Sequence, residues 1–209
     1  MVNIKERLTI CISTSELERR WKAAQEMMRE KKIDFLLMRN DEEFLGGYVK
    51  WFSDFSARHS YHFTIFFPVD EEMTFITCGS PPPGEPFPPQ SAARGVKARL
   101  SAPYSPSIHY TSTYDTDLAV GVLKEKKGAT VGLVGKFFIP MNFREYLMKH
   151  LPRATFVDAT DEVDQIKVIK SAEEVELIKR TVALQDNAME HLRNCIMPGL
   201  MDFEVLAEA

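Results

Sequence analysis

The sequence predicts an α/β domain, a mixed β-sheet flanked by helices, followed by a long C-terminal helix that opens a second, truncated unit. Two observations predict it. Apolar residues at helical spacing alternate along the chain with short apolar runs of strand length, the order that places helices against a sheet. An S-x-x-E pattern also stands just before an amphipathic run at Ser15/Glu18 and at Ser171/Glu174, where side chains can satisfy the free backbone donors of a helix start.

Element by element, Ser15 should cap a first helix whose stripe is Leu17, Trp21, Ala24 and Met28, since i, i+4 and i+3 neighbours share one face. A buried strand follows over residues 33–38. Asn40-Asp41 and Gly46-Gly47 punctuate the next stretch, and the segment Trp51-Phe52-Ser53-Asp54-Phe55-Ser56-Ala57-Arg58-His59 reads as a loop. Residues 61–67 and 73–78 flank Val69-Asp70-Glu71-Glu72 as a hairpin, because the turn residues separate two strand-length apolar runs. The prolines of 81–89 cannot donate ladder bonds, so that run is expected to be an extended spacer. Residues 92–110 carry no assigned element. A helix over 115–126 ends at Gly128 before a strand over 129–134, and Pro140 opens a helix holding Phe143, Leu147 and Leu151 ahead of a strand at 154–157, as proline is tolerated in a first helical turn. The last long helix carries Val175, Ile178, Val182, Met189, Leu192 and Ile196 and stops at Pro198-Gly199. Phe203 and Leu206 then begin a further amphipathic turn that looks cut.

Composition narrows function. Lys+Arg 26 against Asp+Glu 30 leaves a net charge of −4, without the cationic excess that non-specific nucleic-acid binding needs. The apolar run from Phe63 to Val69 is far shorter than the ~20 residues of a membrane span. The N-terminus lacks the apolar core of a secretory signal, so a soluble, cytoplasmic protein is expected. Cys11, Cys78 and Cys195 form no C-x-x-C pair and are expected to be reduced, mostly buried thiols. No G-x-S-x-G elbow occurs, and Gly128, Gly132 and Gly135 bracket a strand rather than cradle a phosphate. His59 and His62, three apart on an extended chain, point to opposite faces, so a shared metal ion is disfavoured and a surface or partly buried pair is expected.

The sequence nevertheless resembles a known family. Asp158-Ala159-Thr160 through Val163, Ile166-Lys167-Val168-Ile169-Lys170-Ser171, Glu173-Glu174-Val175, Ile178-Lys179-Arg180, and Pro198-Gly199 followed by Asp202 and Glu204 are similar to the linker region of the creatinase, prolidase and aminopeptidase P superfamily of pita-bread hydrolases. Phe44-Leu45-Gly46-Gly47-Tyr48 is similar to that family's Y-L-T-G-F, with Met28 and Asp34 at matching places. The departures are Gly46 for the family's Thr, and Met201 where Ser or Thr usually caps a helix.

The resemblance implies an N-terminal domain over 1–165 and, over 166–209, the linker and start of a catalytic domain. It implies a parent hydrolase, an Xaa-Pro metallopeptidase or creatinase-like amidinohydrolase. The two divalent ions of the metallopeptidases (Mn, Co or Zn) would be held by two Asp, one His and two Glu downstream, whereas creatinase works through a His base. The resemblance therefore places no catalytic residue and no metal ligand in this chain. It also implies self-association, contact with the chain's own catalytic domain, and a peptide or small amidino substrate. Trp51, Arg58 and His59 are the candidates for substrate contact in a neighbouring subunit, since Arg can pair with a carboxylate while aromatic walls exclude water. The alternative is a peptidase-like module kept for protein binding, and a flavodoxin-like nucleotide domain is a third reading.

Overall fold

The computed structural model describes residues 12–40, 47–55, 62–79, 94–104 and 112–208. The chain divides into two compact units, Met1–Val168 and Ile169–Ala209.

In the first unit the elements run α1 (Thr14–Lys31), β1 (Phe35–Asn40), α2 (Tyr48–Ser53), β2 (Phe63–Pro68), β3 (Met73–Cys78), β4 (Val96–Ala102), α3 (Tyr114–Lys124), β5 (Thr130–Val134), a 3-10 turn (Lys136–Phe138), α4 (Met141–His150), β6 (Thr155–Asp158) and α5 (Thr160–Val168). The six strands are ordered β4-β3-β2-β1-β5-β6. β2 is antiparallel to both β1 and β3, while β1/β5, β5/β6 and β3/β4 are parallel. All strands but β2 therefore point the same way.

Both faces of the sheet are covered, and the period of two along each strand sorts the core into two layers. Leu36, Met38, Ile65, Phe67, Met73, Phe75 and Val134 meet α1, α2 and α5 on one face. Leu37, Phe66, Ile76, Val131 and Leu133 meet α3 and α4 through Val120, Leu123, Phe143 and Leu147 on the other. Gly132 marks a close approach, because a Cβ there would lie 2.9 Å from the Cβ of Ala159.

Several expectations need correction. The first helix is capped by Ser13, whose hydroxyl accepts from the Glu16 amide at 3.1 Å, two residues before the expected Ser15. Its Glu16 turns instead to Arg19 and Arg20. Residues 48–53 form the helix α2 rather than a loop. β4 and α5 are elements that sequence reasoning left unassigned or read as linker. The Pro-rich run, together with Cys11, Arg58 and His59, lies outside the described residues. Cys78 and Cys195 are both free and only partly buried.

In the second unit, α6 (Ala172–Cys195) starts at a reciprocal capping box, in which Glu174 N–H donates to Ser171 Oγ and Ser171 N–H to Glu174 Oε2. A short α7 (Asp202–Glu208) follows the Pro198-Gly199 turn. Among the described residues no helix is long and apolar enough to cross a membrane.

Candidate functional site

Because only β2 runs against the rest, the carboxyl ends of β1, β3, β4, β5 and β6 and the start of β2 share one edge of the sheet. That edge, where parallel strands hand over to helices, is the usual place for ligand contacts in open α/β sheets. One cluster of polar side chains is built there, and a second lies beside α1 on the sheet face that α2 covers.

The first is centred on Arg39 at the end of β1. Period two puts Arg39 in line with Leu37, on the face covered by α3 and α4. It is buried, its guanidinium stacks 4.4 Å from the centroid of Phe143, and it forms an ion pair with Asp115 in the first turn of α3. The Thr116 hydroxyl donates to Asp115 Oδ1 at 3.2 Å, and His62 Nε2 stands 3.6 Å from Asp115 Oδ2. Burial chiefly raises the Cys78 thiol pKa, and the Asp115 carboxylate adds to the rise while Arg39 opposes it. A thiol so placed is a weak nucleophile at neutral pH.

The second cluster fixes α2, which six residues alone could not hold. Arg20 Nη1 donates to the Trp51 carbonyl at 2.8 Å and Trp21 Nε1 to the Phe52 carbonyl at 2.7 Å, so two carbonyls at its end find partners on α1. The Trp51 ring is 9% exposed, lies beneath Arg20 at 5.2 Å and meets Phe52 edge-on. Asp54, with a left-handed φ of 60°, ends the helix and receives Arg94 Nη2 at 2.8 Å. Burial raises the Asp54 carboxyl pKa, opposed by Arg94. The chain is thus held firmly up to Phe55, which contacts Phe63 and Phe75.

Of the sequence candidates, Trp51 therefore lies in the core layer beside α1. Arg58 and His59 fall between the described residues Phe55 and His62, outside the description. The Arg39, Asp115 and His62 group was missed by sequence reasoning, although a lone arginine in phase with the apolar residues of a buried strand is a visible signal.

At the far side of the same edge, Tyr48 donates to Asp164 at 3.1 Å beneath Lys167, whose Nζ is 4.1 Å from the ring. Burial first, then the Asp164 hydrogen bond, pushes the Tyr48 pKa up to about 12. Gly135, at φ 63°, lets the backbone pass the Tyr48 ring.

Among the described residues, the one group of three or more His, Cys, Asp or Glu side chains that brings ligand atoms within 4.8 Å of one another is His191, Cys195 and Glu208. A thiolate, an imidazole and one carboxylate do not match a pair of divalent ions held by two Asp, one His and two Glu. The residues described here do not fit the two-metal set that the resemblance implies.

This open, mixed sheet with helices on both faces defines an α/β domain of the creatinase/prolidase N-terminal type. The chain belongs to the creatinase/prolidase N-terminal domain family, whose model matches residues 20–169. An uncharacterised hydrolase/peptidase of Sinorhizobium fredii is 30% identical over 94 residues, which cover 44% of this chain and 24% of that protein. The fold is similar to that of X-Pro aminopeptidase from Thermotoga maritima, at a TM-score of 0.66 and 16% identity, covering 90% of this chain and 47% of that one. It is also similar to Xaa-Pro dipeptidase from Bacillus anthracis, at a TM-score of 0.61 and 16% identity, covering 92% and 47%. The chain thus spans under half the length of each of these proteins.

Proposed function

We propose that this chain is the N-terminal part of a metal-dependent Xaa-Pro peptidase or a creatinase-like amidinohydrolase, serving substrate access and subunit assembly rather than bond cleavage. The family match over residues 20–169 carries this, and the names of the structural relatives, an X-Pro aminopeptidase and an Xaa-Pro dipeptidase, favour the peptidase. In that enzyme, divalent ions (Mn, Co or Zn) held outside this chain supply a polarised water. The domain supplies recognition. Trp51, whose ring and carbonyl are fixed by Arg20, anchors a substrate-contact segment. Arg58 and His59 on that segment reach the active site of a neighbouring subunit, where a guanidinium can pair bidentately with a substrate carboxylate. The exposed residues Val175, Ile178 and Met189 of α6 serve self-association or contact with the chain's own catalytic domain.

The test is kinetic. Loss of a charge-assisted contact worth ~1.5–3 kcal/mol should lower kcat/KM at least about tenfold in full-length Arg58→Ala, with metal content and fold unchanged. A kcat/KM unaltered across substrates of different length and charge refutes the role of Arg58. Hydrolysis of an Xaa-Pro substrate by the 209-residue chain alone refutes the non-catalytic assignment.

A further inference from the structure

The corner between α6 and α7 gathers soft and borderline ligand atoms. His191 and Cys195 stand one helical turn apart at the end of α6, and α7 returns Glu208 to the same spot. Cys195 Sγ lies 3.5 Å from His191 Nε2, and Glu208 Oε2 lies 3.5 Å from the same nitrogen. A zinc ion with bonds of ~2.3 Å to sulfur and ~2.0–2.1 Å to nitrogen and oxygen, at tetrahedral angles, sets its nitrogen ~3.5 Å from sulfur and ~3.4 Å from oxygen. Two edges of the triangle thus match a zinc tetrahedron and the third lies within 4.8 Å; Sγ also lies 4.0 Å from Nδ1, so the imidazole turns about its side-chain bonds to aim Nε2 at the ion.

The surroundings suit a cation as well. Cys195 is the last residue of α6 with His191 one turn before it, and Glu208 is the last residue of α7. Helix carboxyl ends carry partial negative charge, which favours a positive ion at both. The His191 and Glu208 side chains are 57% and 59% exposed, so a hydrated ion can enter without local unfolding. A thiolate with an imidazole selects zinc or a similar borderline-soft ion over Mg or Ca. From this geometry we propose that His191, Cys195 and Glu208 bind one such divalent ion, with solvent in the fourth position, locking α7 against α6. Binding converts the Cys195 thiol to thiolate and releases its proton to solvent.

The test is titration of the 209-residue chain with Co²⁺ under reducing conditions. One equivalent should produce tetrahedral d–d absorption and a thiolate-to-cobalt charge-transfer band, both displaced by Zn²⁺. Cys195→Ser and His191→Ala should abolish the band, and Glu208→Gln, a change at an exposed position, should weaken Co²⁺ binding at least tenfold. A Cys11→Ser/Cys78→Ser double variant should retain the band. Absence of the band in the unmodified chain overturns the proposal. So does a band that survives Cys195→Ser, or a Co²⁺ affinity unaffected by Glu208→Gln.

Discussion

Removing Asp115 should show how much the carboxyl edge depends on one ion pair. Asp115→Ala leaves the Arg39 guanidinium, 5% exposed and stacked on Phe143, with its carboxylate partner gone. Breaking a buried pair from one side costs ~3–5 kcal/mol. Since the Asp115 side chain is 11% exposed and lies at the sheet edge, the lower end applies, ~3 kcal/mol, including ~0.5 kcal/mol from its place in the first turn of α3. For a chain of this length that lowers Tm by ~6–12 °C. Arg39→Met should cost a similar amount. The double variant Arg39→Met/Asp115→Leu removes both charges and their desolvation together, so it should cost less than either single change. Urea unfolding followed by tryptophan fluorescence is the assay, because Trp21 and Trp51 both lie in the first unit. Single variants costing under ~1 kcal/mol, or a double variant equal to their sum, would refute the reasoning.

Other outcomes follow from the same geometry. Gly135→Ala puts a Cβ 2.7 Å from the Tyr48 ring at a left-handed φ, so it should destabilise by ~1–3 kcal/mol in the same unfolding assay. The raised Tyr48 pKa means that its stabilising share is full below the free value of 10.0 and is lost as pH rises towards about 12; ultraviolet titration should find a tyrosine ionising near pH 12 that is lost in Tyr48→Phe. Asp158 is held below the usual carboxylate range by its Lys136 and Thr160 hydrogen bonds, so its contribution is present above the unfolded value of ~3.9 and fades as pH falls through the folded one. Lys136→Met should flatten that acid limb of the stability curve. Light scattering of the 209-residue chain should show a dimer or larger species at high concentration, and a strict monomer, unchanged by Val175→Glu/Ile178→Glu, would refute self-association through α6.

Long periodic segments were legible in the sequence because a face that must be buried repeats at a fixed interval. α1, the β2/β3 hairpin, α3, α4 and α6 all announce themselves this way. β4 carried the same kind of signal, Val96, Ala98, Leu100 and Ala102 alternating with Lys97, Arg99 and Ser101, but as an edge strand it keeps most of its residues only half-buried. α2 was illegible for a different reason. Its six residues are held by Arg20 and Trp21, some 31 positions earlier, and no local pattern encodes that support. The Arg39 to Asp115 pair spans 76 positions, so the sequence offered the misplaced arginine but not its partner.

The single reversed strand gives the sheet two unlike rims. At the rim where β1, β5 and β6 begin, the joins between described elements are short, 32–34, 69–72, 125–129 and 151–154; the Thr130 amide of β5 donates to Asp34 Oδ2, and Lys126 pairs with the same carboxylate from the neighbouring join. Strand order and register are therefore specified at that rim, by few residues under tight geometric control. At the opposite rim the described elements are separated by longer stretches of sequence, 41–47 between β1 and α2, 54–62 between α2 and β2, and 103–113 between β4 and α3. A library that randomises positions 41–46, 56–61 and 105–111 while sparing Gly47, Asp54, Phe55 and His62, which hold α2 and the Asp115 group, should return mostly folded members with altered surfaces.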